Sequence, residues 1–134
     1  MTNTTNSQSP ITNDQYPISK KKEFNIHKRI FDFVIRVLRL IKVLTRTPQN
    51  IVFINQIARS VTSIGANGQE ADGSLSTKEF VRSMTIARKE TKETNYWLKI
   101  ISETNPRLQT RMNPLIQEGH EIEAIISSII QKLK

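Results

Sequence analysis

The stretch IARSVTSIGANGQEADGSLSTKEFVRSMTIARKETKETNYWLKII, residues 57–101, decides the fold. Apolar residues recur every three or four positions on both sides of a short polar turn, which predicts two amphipathic helices. Ser76 and Glu79 form a capping box at the start of the second helix, since each side chain can satisfy the other residue's exposed amide. Gly73 is expected to end the first helix in the left-handed conformation. So short a turn predicts that the two helices are antiparallel.

The sequence on either side of this hairpin predicts two further helices. No segment sustains the alternation of a strand, so the fold class is all-α. The helices are expected at about 24–46, 49–72, 76–104 and 107–133. Short connections make successive helices antiparallel, which predicts an up-down-up-down four-helix bundle over residues 23–134. Pro114 falls within the fourth helix, which either kinks there or begins near it.

Composition restricts the compartment and the classes of site. The chain has no cysteine, which excludes disulfides and thiolate metal sites and favours a cytoplasmic location. Residues 1–22 are polar and then basic, with too little apolar surface to order them, so we expect a flexible tail. No uncharged apolar run reaches about 18 residues, so we expect no contact with a membrane.

The formal net charge of +8 is concentrated in and just before the first helix. Residues 20–46 hold nine Lys and Arg side chains against two acidic ones. Within the helix, at about 100° per residue, the cations fall on one arc opposite the apolar stripe. A charge run is often only a solvated face, but cations so poorly neutralised repel one another and favour a polyanion. The candidate nucleic-acid-binding residues are Lys20, Lys21, Lys22, Lys28, Arg29, Arg36, Arg39, Lys42 and Arg46.

No pattern in the sequence indicates catalysis, a metal or a cofactor. A ferritin-like di-iron site needs Glu-x-x-His on two helices, and the sequence has no such motif. His27 and His120 are interpreted as surface residues, because a zinc site needs three or four converging ligands. Gly65 and Gly68 lie within a helix and lack the strand that precedes a phosphate-binding loop. We therefore predict that the protein is not an enzyme and holds neither metal nor cofactor.

Two further sets of residues have polar or aromatic side chains at inward-facing positions. The first is predicted to lie inside the bundle or at its rim, and consists of Asn67, Glu70, Glu90 and Glu93. We interpret it as a hydrogen-bonded network that fixes the register of the helices, rather than as paired catalytic carboxylates. The second is Tyr96 and Trp97, which can stack on bases. Their helical spacing with Leu98 and Ile101 favours a core or a subunit interface instead.

Residues 57–101 resemble a bacterial family of four-helix-bundle proteins that are encoded in 23S rRNA intervening sequences. Three runs match the family pattern. The first is Ser63, Ile64, Ala66, Asn67, Glu70 and Ala71, the second is Lys78, Phe80, Met84, Ile86 and Ala87, and the third is Glu90, Glu93, Thr94, Tyr96, Trp97 and Leu98. Gly68 departs from the pattern, since the family usually carries an aliphatic residue there.

The resemblance implies a left-handed bundle that assembles into a ring-shaped homopentamer without enzymatic activity. The family looks related to accessory proteins of diversity-generating retroelements, which bind nucleic acid and a reverse transcriptase through a basic surface. Our leading hypothesis is an oligomeric scaffold that binds RNA or DNA through the first helix. The alternative is an adaptor whose acidic protein partner covers that helix, such as an accessory to a reverse transcriptase or a ribosome-linked factor.

Overall fold

The computed structural model describes the backbone of residues 18–134 and the side chains of residues 26–134. This part of the chain forms four helices, α1 (Ile18–Lys42), α2 (Pro48–Asp72), α3 (Thr77–Thr104) and α4 (Gln109–Leu133), with a 3₁₀ turn at Pro106–Leu108. Residues 18–134 contain no strand. The predicted all-α four-helix bundle is confirmed.

Contacts at the two ends of the bundle show that neighbouring helices are antiparallel. Asn50 at the start of α2 and Asn105 after the end of α3 exchange side-chain hydrogen bonds of 3.0 and 3.1 Å. At the other end, His27 Nε2 in the first half of α1 lies 3.6 Å from Asp72 Oδ1 at the end of α2. Each helix packs on two neighbours. Within the described residues the backbones of α1 and α3 are not in contact. The left-handed twist of the bundle stays a prediction.

One apolar stripe from each helix builds the core. The largest fully buried side chains are Phe33, Val37, Ile57, Val61, Ile64, Met84, Leu98, Ile101, Met112, Ile122, Ile126 and Ile130. Full burial of one such side chain stabilises the fold by about 1.5–3 kcal/mol, so these stripes dominate the stability. Between α2 and α3, the buried hydroxyls of Ser60 and Thr94 share a hydrogen bond of 2.7 Å. No helix within residues 18–134 is long and apolar enough to cross a membrane.

The first helix begins and ends earlier than the predicted range of 24–46. It starts at Ile18, so residues 18–22 of the predicted tail are helical, while residues 1–17 lie outside the described part of the chain. Neither glycine nor proline interrupts residues 18–42, which leaves nothing to delay the start. The helix ends at Lys42 because residues 43–47 reverse the chain, and Thr47 then caps α2 by accepting a 3.1 Å hydrogen bond from the Asn50 amide.

The turns between helices agree in part with the predicted capping. Ser76 Oγ accepts from the Glu79 amide at 3.1 Å, but the Glu79 carboxylate reaches the Leu75 amide at 3.2 Å instead of that of Ser76. The left-handed conformation expected of Gly73 is wrong, since its φ is −90° and its amide donates to Gln69 O at 3.1 Å. A helix start near Pro114 is also wrong, because α4 begins at Gln109 and includes Pro114.

Among the glycines, Gly119 of α4 has the least room for a side chain, and no pattern in the sequence singles it out. A Cβ placed there would overlap Asn95 Oδ1 and lie 3.1 Å from Phe33 Cζ. By contrast, a Cβ at Gly68 of α2 would lie 3.7 Å from Ile30 Cδ1, an ordinary van der Waals contact. Gly119 therefore makes room for the buried Asn95 side chain between α3 and α4, whereas Gly68 has room for a methyl group.

Alanine substitutions at these two glycines are expected to change stability in opposite directions. Gly68→Ala adds a methyl group without overlap and should raise the free energy of unfolding by about 0.5–1 kcal/mol, since glycine disfavours a helix interior. Gly119→Ala should lower it by about 1 kcal/mol or more, because overpacking and the displaced Asn95 outweigh the gain in helix propensity. Urea unfolding of both variants measures the two changes. Equal stabilisation by both would show that α4 does not press on Asn95.

Candidate binding face of the first helix

Burial of one side of α1 determines which of its cations reach solvent. Phe33 and Val37 have no exposed surface. At about 100° per residue, Arg36, Arg39 and Lys42 then point away from the core, and all three are exposed. They span about 9 Å along the helix axis at 1.5 Å per residue. We call these three residues the basic face.

The carboxylates nearest to the basic face are already paired with other cations, Asp32 with Lys28 and Glu118 with Arg29. None of its three cations forms an ion pair with a carboxylate among residues 26–134, although six pairs of Lys or Arg with a carboxylate occur there. Like charges three or four residues apart on a helix repel each other. An anion that contacts two of them at once removes this repulsion, so the face favours a ligand with repeated negative charge.

Arg29 was predicted to belong to the binding face, but the structure pairs it with α4. Its Nε donates to Glu118 Oε2 at 2.9 Å, and one terminal nitrogen donates to Glu118 Oε1 at 2.7 Å and to Glu121 Oε1 at 2.8 Å. This fork matches the bidentate geometry of strong arginine–carboxylate pairs. The hydrogen bonds with Glu118, and next the one with Glu121, raise the pKa of Arg29 above its ordinary range. Arg29 therefore stabilises the packing of α1 on α4 and is not available to a phosphate.

The remaining predicted cations have other surroundings. Lys28 Nζ lies 3.1 Å from Asp32 Oδ2 in an exposed pair within α1, which is worth about 0.2–0.5 kcal/mol. Arg46 lies beyond the end of α1 and donates to Ile41 O at 3.4 Å, near the end of that helix. The backbone at positions 20–22 is helical, while the side chains of Lys20, Lys21 and Lys22 lie outside the described ones. Of the nine predicted residues, the structure brings three together as exposed, unpaired cations.

An apolar row runs beside the basic face. Phe31 is 63% exposed, and Ile35 and Leu38 are half-buried. With Arg36 and Arg39, Phe31 and Ile35 line a shallow groove on the side of α1 that faces α4, where the carboxylates Asp32 and Glu118 also lie. The charge pattern alone did not reveal this row. Phe31 lies at a helical angle outside the core stripe, and this position in the sequence indicates the apolar row.

A second polar cluster joins α2 to α3 around Arg59, a residue that no motif in the sequence indicated. Arg59 donates to Glu90 Oε1 at 3.3 Å and also to Glu93. Trp97 Nε1 donates to Glu93 Oε2 at 3.1 Å. The hydrogen bond from Arg59, followed by that from Trp97, lowers the pKa of Glu93. Arg59 is the only Lys or Arg in residues 48–72. It is therefore the only residue of α2 that can form an ion pair with Glu90 and Glu93.

The predicted four-residue network is wrong for its other two members. Asn67 Nδ2 donates to Ser63 O at 2.9 Å and so bonds within its own helix. Glu70 is exposed, and no described side chain donates to its carboxylate or forms an ion pair with it. Arg59 does bind both Glu90 and Glu93, but this cluster lies at the surface of the bundle and not in its interior.

The two aromatic residues predicted for a core or an interface lie at the surface between α2 and α3. Tyr96 is 60% exposed and Trp97 is half-buried. The Tyr96 and Trp97 rings meet edge to face with centroids 5.3 Å apart, and the Trp97 ring lies 6.1 Å from that of Phe53 on α2. These contacts and the hydrogen bond to Glu93 hold the indole in place.

The histidines take no part in a cluster of ligands. His27 is half-buried, with Asp72 as its acidic neighbour, and His120 is exposed. Within the described residues, no group of three or more His, Asp or Glu side chains is arranged to hold a metal ion.

Comparisons with known proteins identify what the chain is similar to. Residues 22–128 match the model of a family described as 23S rRNA-intervening sequence protein. A crystal structure of a protein of unknown function from the S23 ribosomal protein family of Bacteroides thetaiotaomicron has 33% sequence identity and a TM-score of 0.74. The match covers 82% of this chain and 98% of the Bacteroides chain. No curated protein matches the chain.

The Arg59 cluster is expected to make stability depend on pH through Glu93. Because its pKa in the folded state is lowered from the ordinary value of 4.5, the charged carboxylate contributes stability above that pH. The contribution is lost as the pH falls below 4.5 through the lowered pKa. Glu93→Gln should therefore unfold at lower urea concentration than the wild type at pH 7, and the difference should shrink at acidic pH.

The matched control is Glu103→Gln, which changes an exposed carboxylate on the same helix that forms no ion pair with a described residue. This variant should follow the wild type at neutral pH. A Glu93→Gln variant as stable as the wild type at pH 7 would contradict a stabilising role for the cluster.

Proposed function

We propose that this chain, which belongs to the 23S rRNA-intervening sequence protein family, is a non-enzymatic scaffold that assembles with copies of itself and binds nucleic acid through the basic face of α1. The observation that carries the proposal is the exposure of Arg36, Arg39 and Lys42 without an ion pair among the described residues. The guanidinium groups of Arg29 and Arg59, in contrast, are each bound to two carboxylates.

The three cations suit the phosphate backbone rather than the bases. Arg36 and Lys42 lie nearly two helical turns apart, so they reach successive phosphates along a strand and not a single group. Contacts of this kind position the nucleic acid without reading its sequence. In an oligomer each copy repeats the basic face, and several modest sites then act as one extended surface with higher avidity. Binding is therefore expected to be weak per copy, strongly dependent on salt and tolerant of sequence.

The comparisons support a relation to ribosomal RNA genes only through the words of their descriptions. The family description names 23S rRNA. The Bacteroides protein is described as having unknown function, within a family named after a ribosomal protein. The proposal for this chain therefore depends on its own charges and exposures.

An adaptor with an acidic protein partner is the second candidate, and the apolar row favours it. Phe31 is 63% exposed beside the basic face, although contacts with phosphates do not need an exposed phenyl ring. A partner helix with carboxylates flanking an apolar stripe would cover Phe31, Ile35 and the cations together. A duplex would contact the cations through its phosphates and leave Phe31 in water.

Neutralising the basic face is expected to abolish most of the binding. The triple variant Arg36→Gln, Arg39→Gln and Lys42→Gln should bind a mixed-sequence DNA duplex more weakly than the wild type. The slope of its log affinity against log salt should be shallower by about 0.9 for each phosphate that the variant no longer neutralises. Fluorescence anisotropy between about 50 and 200 mM salt measures both quantities. Wild-type affinity that is indifferent to salt would contradict the proposal.

A control variant with the same change of net charge distinguishes an effect of the basic face from an effect of the overall charge. The exposed cations Arg82, Lys89 and Lys99 of α3, each changed to Gln, remove three charges elsewhere on the bundle. This variant should retain nearly the wild-type salt slope. Equal weakening by both triple variants would show that the overall charge binds the duplex and not the basic face.

The variant Phe31→Ser distinguishes the two candidate functions. If nucleic acid is the ligand, its affinity for the duplex should match that of the wild type, because the phenyl ring makes no phosphate contact. If an acidic protein is the partner, its capture from nuclease-treated lysate should be abolished by Phe31→Ser and by the triple variant alike. Such a capture, combined with no binding of the duplex, would replace the nucleic-acid proposal with the adaptor.

A further inference from the structure

A second row of cations lies on the α4 side of the seam between α1 and α4. Arg107 lies in the 3₁₀ turn that precedes α4 and Arg111 lies in the first turn of α4, and both side chains are exposed. Neither forms an ion pair with a carboxylate among residues 26–134. They do not belong to the basic face, which consists of residues of α1. Their position relative to that face decides whether they act with it.

The ion pair between α1 and α4 fixes which residues of the two helices lie opposite one another. One terminal nitrogen of Arg29 donates to Glu118 Oε1 at 2.7 Å, so these two positions face each other across the seam. Residues seven apart lie on the same side of a helix to within about 20°. Because the helices are antiparallel, seven residues forward from Arg29 and seven residues back from Glu118 lead to Arg36 and Arg111. The register therefore places these two arginines opposite each other.

The end of the bundle supports this register. Val43, which directly follows α1, lines one hollow together with Arg107. The positions of Arg36 and Arg111 therefore lie between two places where the α1 side of the seam meets the α4 side. At these positions the seam repeats the geometry of the ion pair described above, with an arginine in place of the glutamate.

Among the described residues, no carboxylate pairs with these arginines. Asp32 and Glu118, the acidic residues beside the groove of α1, are paired with other cations of that helix. Residues 104–117 contain neither Asp nor Glu, and Glu103 before them forms no ion pair with a described residue. The first turn of α4 also lacks an acidic residue, so the positive end of its helix dipole adds to the charge. Positive charge therefore accumulates on both sides of the seam.

Two arginines that face each other repel one another unless an anion lies between them. The axes of packed helices are about 8–10 Å apart, a distance that two long arginine side chains can bridge from opposite sides. The planar guanidinium group donates parallel hydrogen bonds to phosphate oxygens. One phosphate group can therefore accept from Arg36 and Arg111 together. Further phosphates of the same strand then remain for the other cations of the two rows.

We infer that Arg36 and Arg111 together bind one phosphate group of the nucleic-acid backbone, so that the strand lies over the seam and contacts both α1 and α4. The inference rests on the proposed function and adds α4 to a site that the basic face confines to α1. A bound phosphate also stabilises the packing of the two helices at the place where their charges otherwise oppose it.

Reversing the charge on one side of the pair tests the geometry without nucleic acid. Arg111→Glu places a carboxylate opposite Arg36, as Glu118 lies opposite Arg29. At low salt, about 50 mM, this variant should melt at a higher temperature than Arg111→Gln. In a chain that also carries Arg36→Gln the gain should be smaller, because the interaction with the helix dipole remains and the ion pair is lost.

Neutralising Arg111 tests the phosphate contact. Arg111→Gln should bind the mixed-sequence duplex about tenfold more weakly than the wild type, the loss expected for one charge-assisted hydrogen bond. The slope of its log affinity against log salt should be shallower by about 0.9. The matched control is Arg82→Gln, which removes the same charge from an exposed arginine of α3 and should keep the wild-type slope.

The outcomes distinguish this inference from the proposed function. An equal gain in melting temperature from Arg111→Glu with and without Arg36 would overturn the inference, and so would wild-type affinity and slope in Arg111→Gln. If the triple variant of the basic face loses binding in that same assay, the proposed function stands without α4. A wild type that does not bind the duplex would overturn both.

Discussion

The rotation of α1 about its own axis is set by two kinds of contact with the rest of the bundle. Phe33 and Val37 are completely buried, and turning the helix would expose them at a cost of about 1.5–3 kcal/mol for each side chain. Arg29 adds a directional constraint, since its fork binds Glu118 and Glu121 of α4. With α1 held in this way, Arg36 and Arg39 face outward. The surface charge of the protein therefore follows from how its core packs.

Pairing across helices then divides the cations into two groups. Arg29 and Arg59 lie opposite carboxylates of a neighbouring helix and stabilise its packing. The three cations of the basic face form no ion pair with a described carboxylate, because Lys28 pairs with the nearby Asp32 and Arg29 with the nearby Glu118. The two groups have similar chemistry, and only the position of the neighbouring acidic residues distinguishes them.

The fold was predictable from the sequence because its determinants are local. Apolar periodicity, the Thr47-Pro48 boundary and the Ser76 cap act within a few residues, and they placed the helices correctly except at the ends of α1 and around Pro114. The site was predictable only in part, because a cation is free to bind a ligand only if no carboxylate distant in sequence pairs with it. Arg29 meets Glu118 across 89 residues, which no helical spacing indicates. Similarly, the need for a glycine at position 119 arises from Asn95 on another helix.

The central claim is that the exposed side of α1 carries the ligand. It is tested most directly by recording amide chemical shifts of the isotope-labelled full chain while a mixed-sequence nucleic-acid duplex is added. The account predicts that the largest shifts occur in residues 31–46, with residues 93–97 unchanged. Largest shifts at residues 93–97, or none in α1, would contradict it.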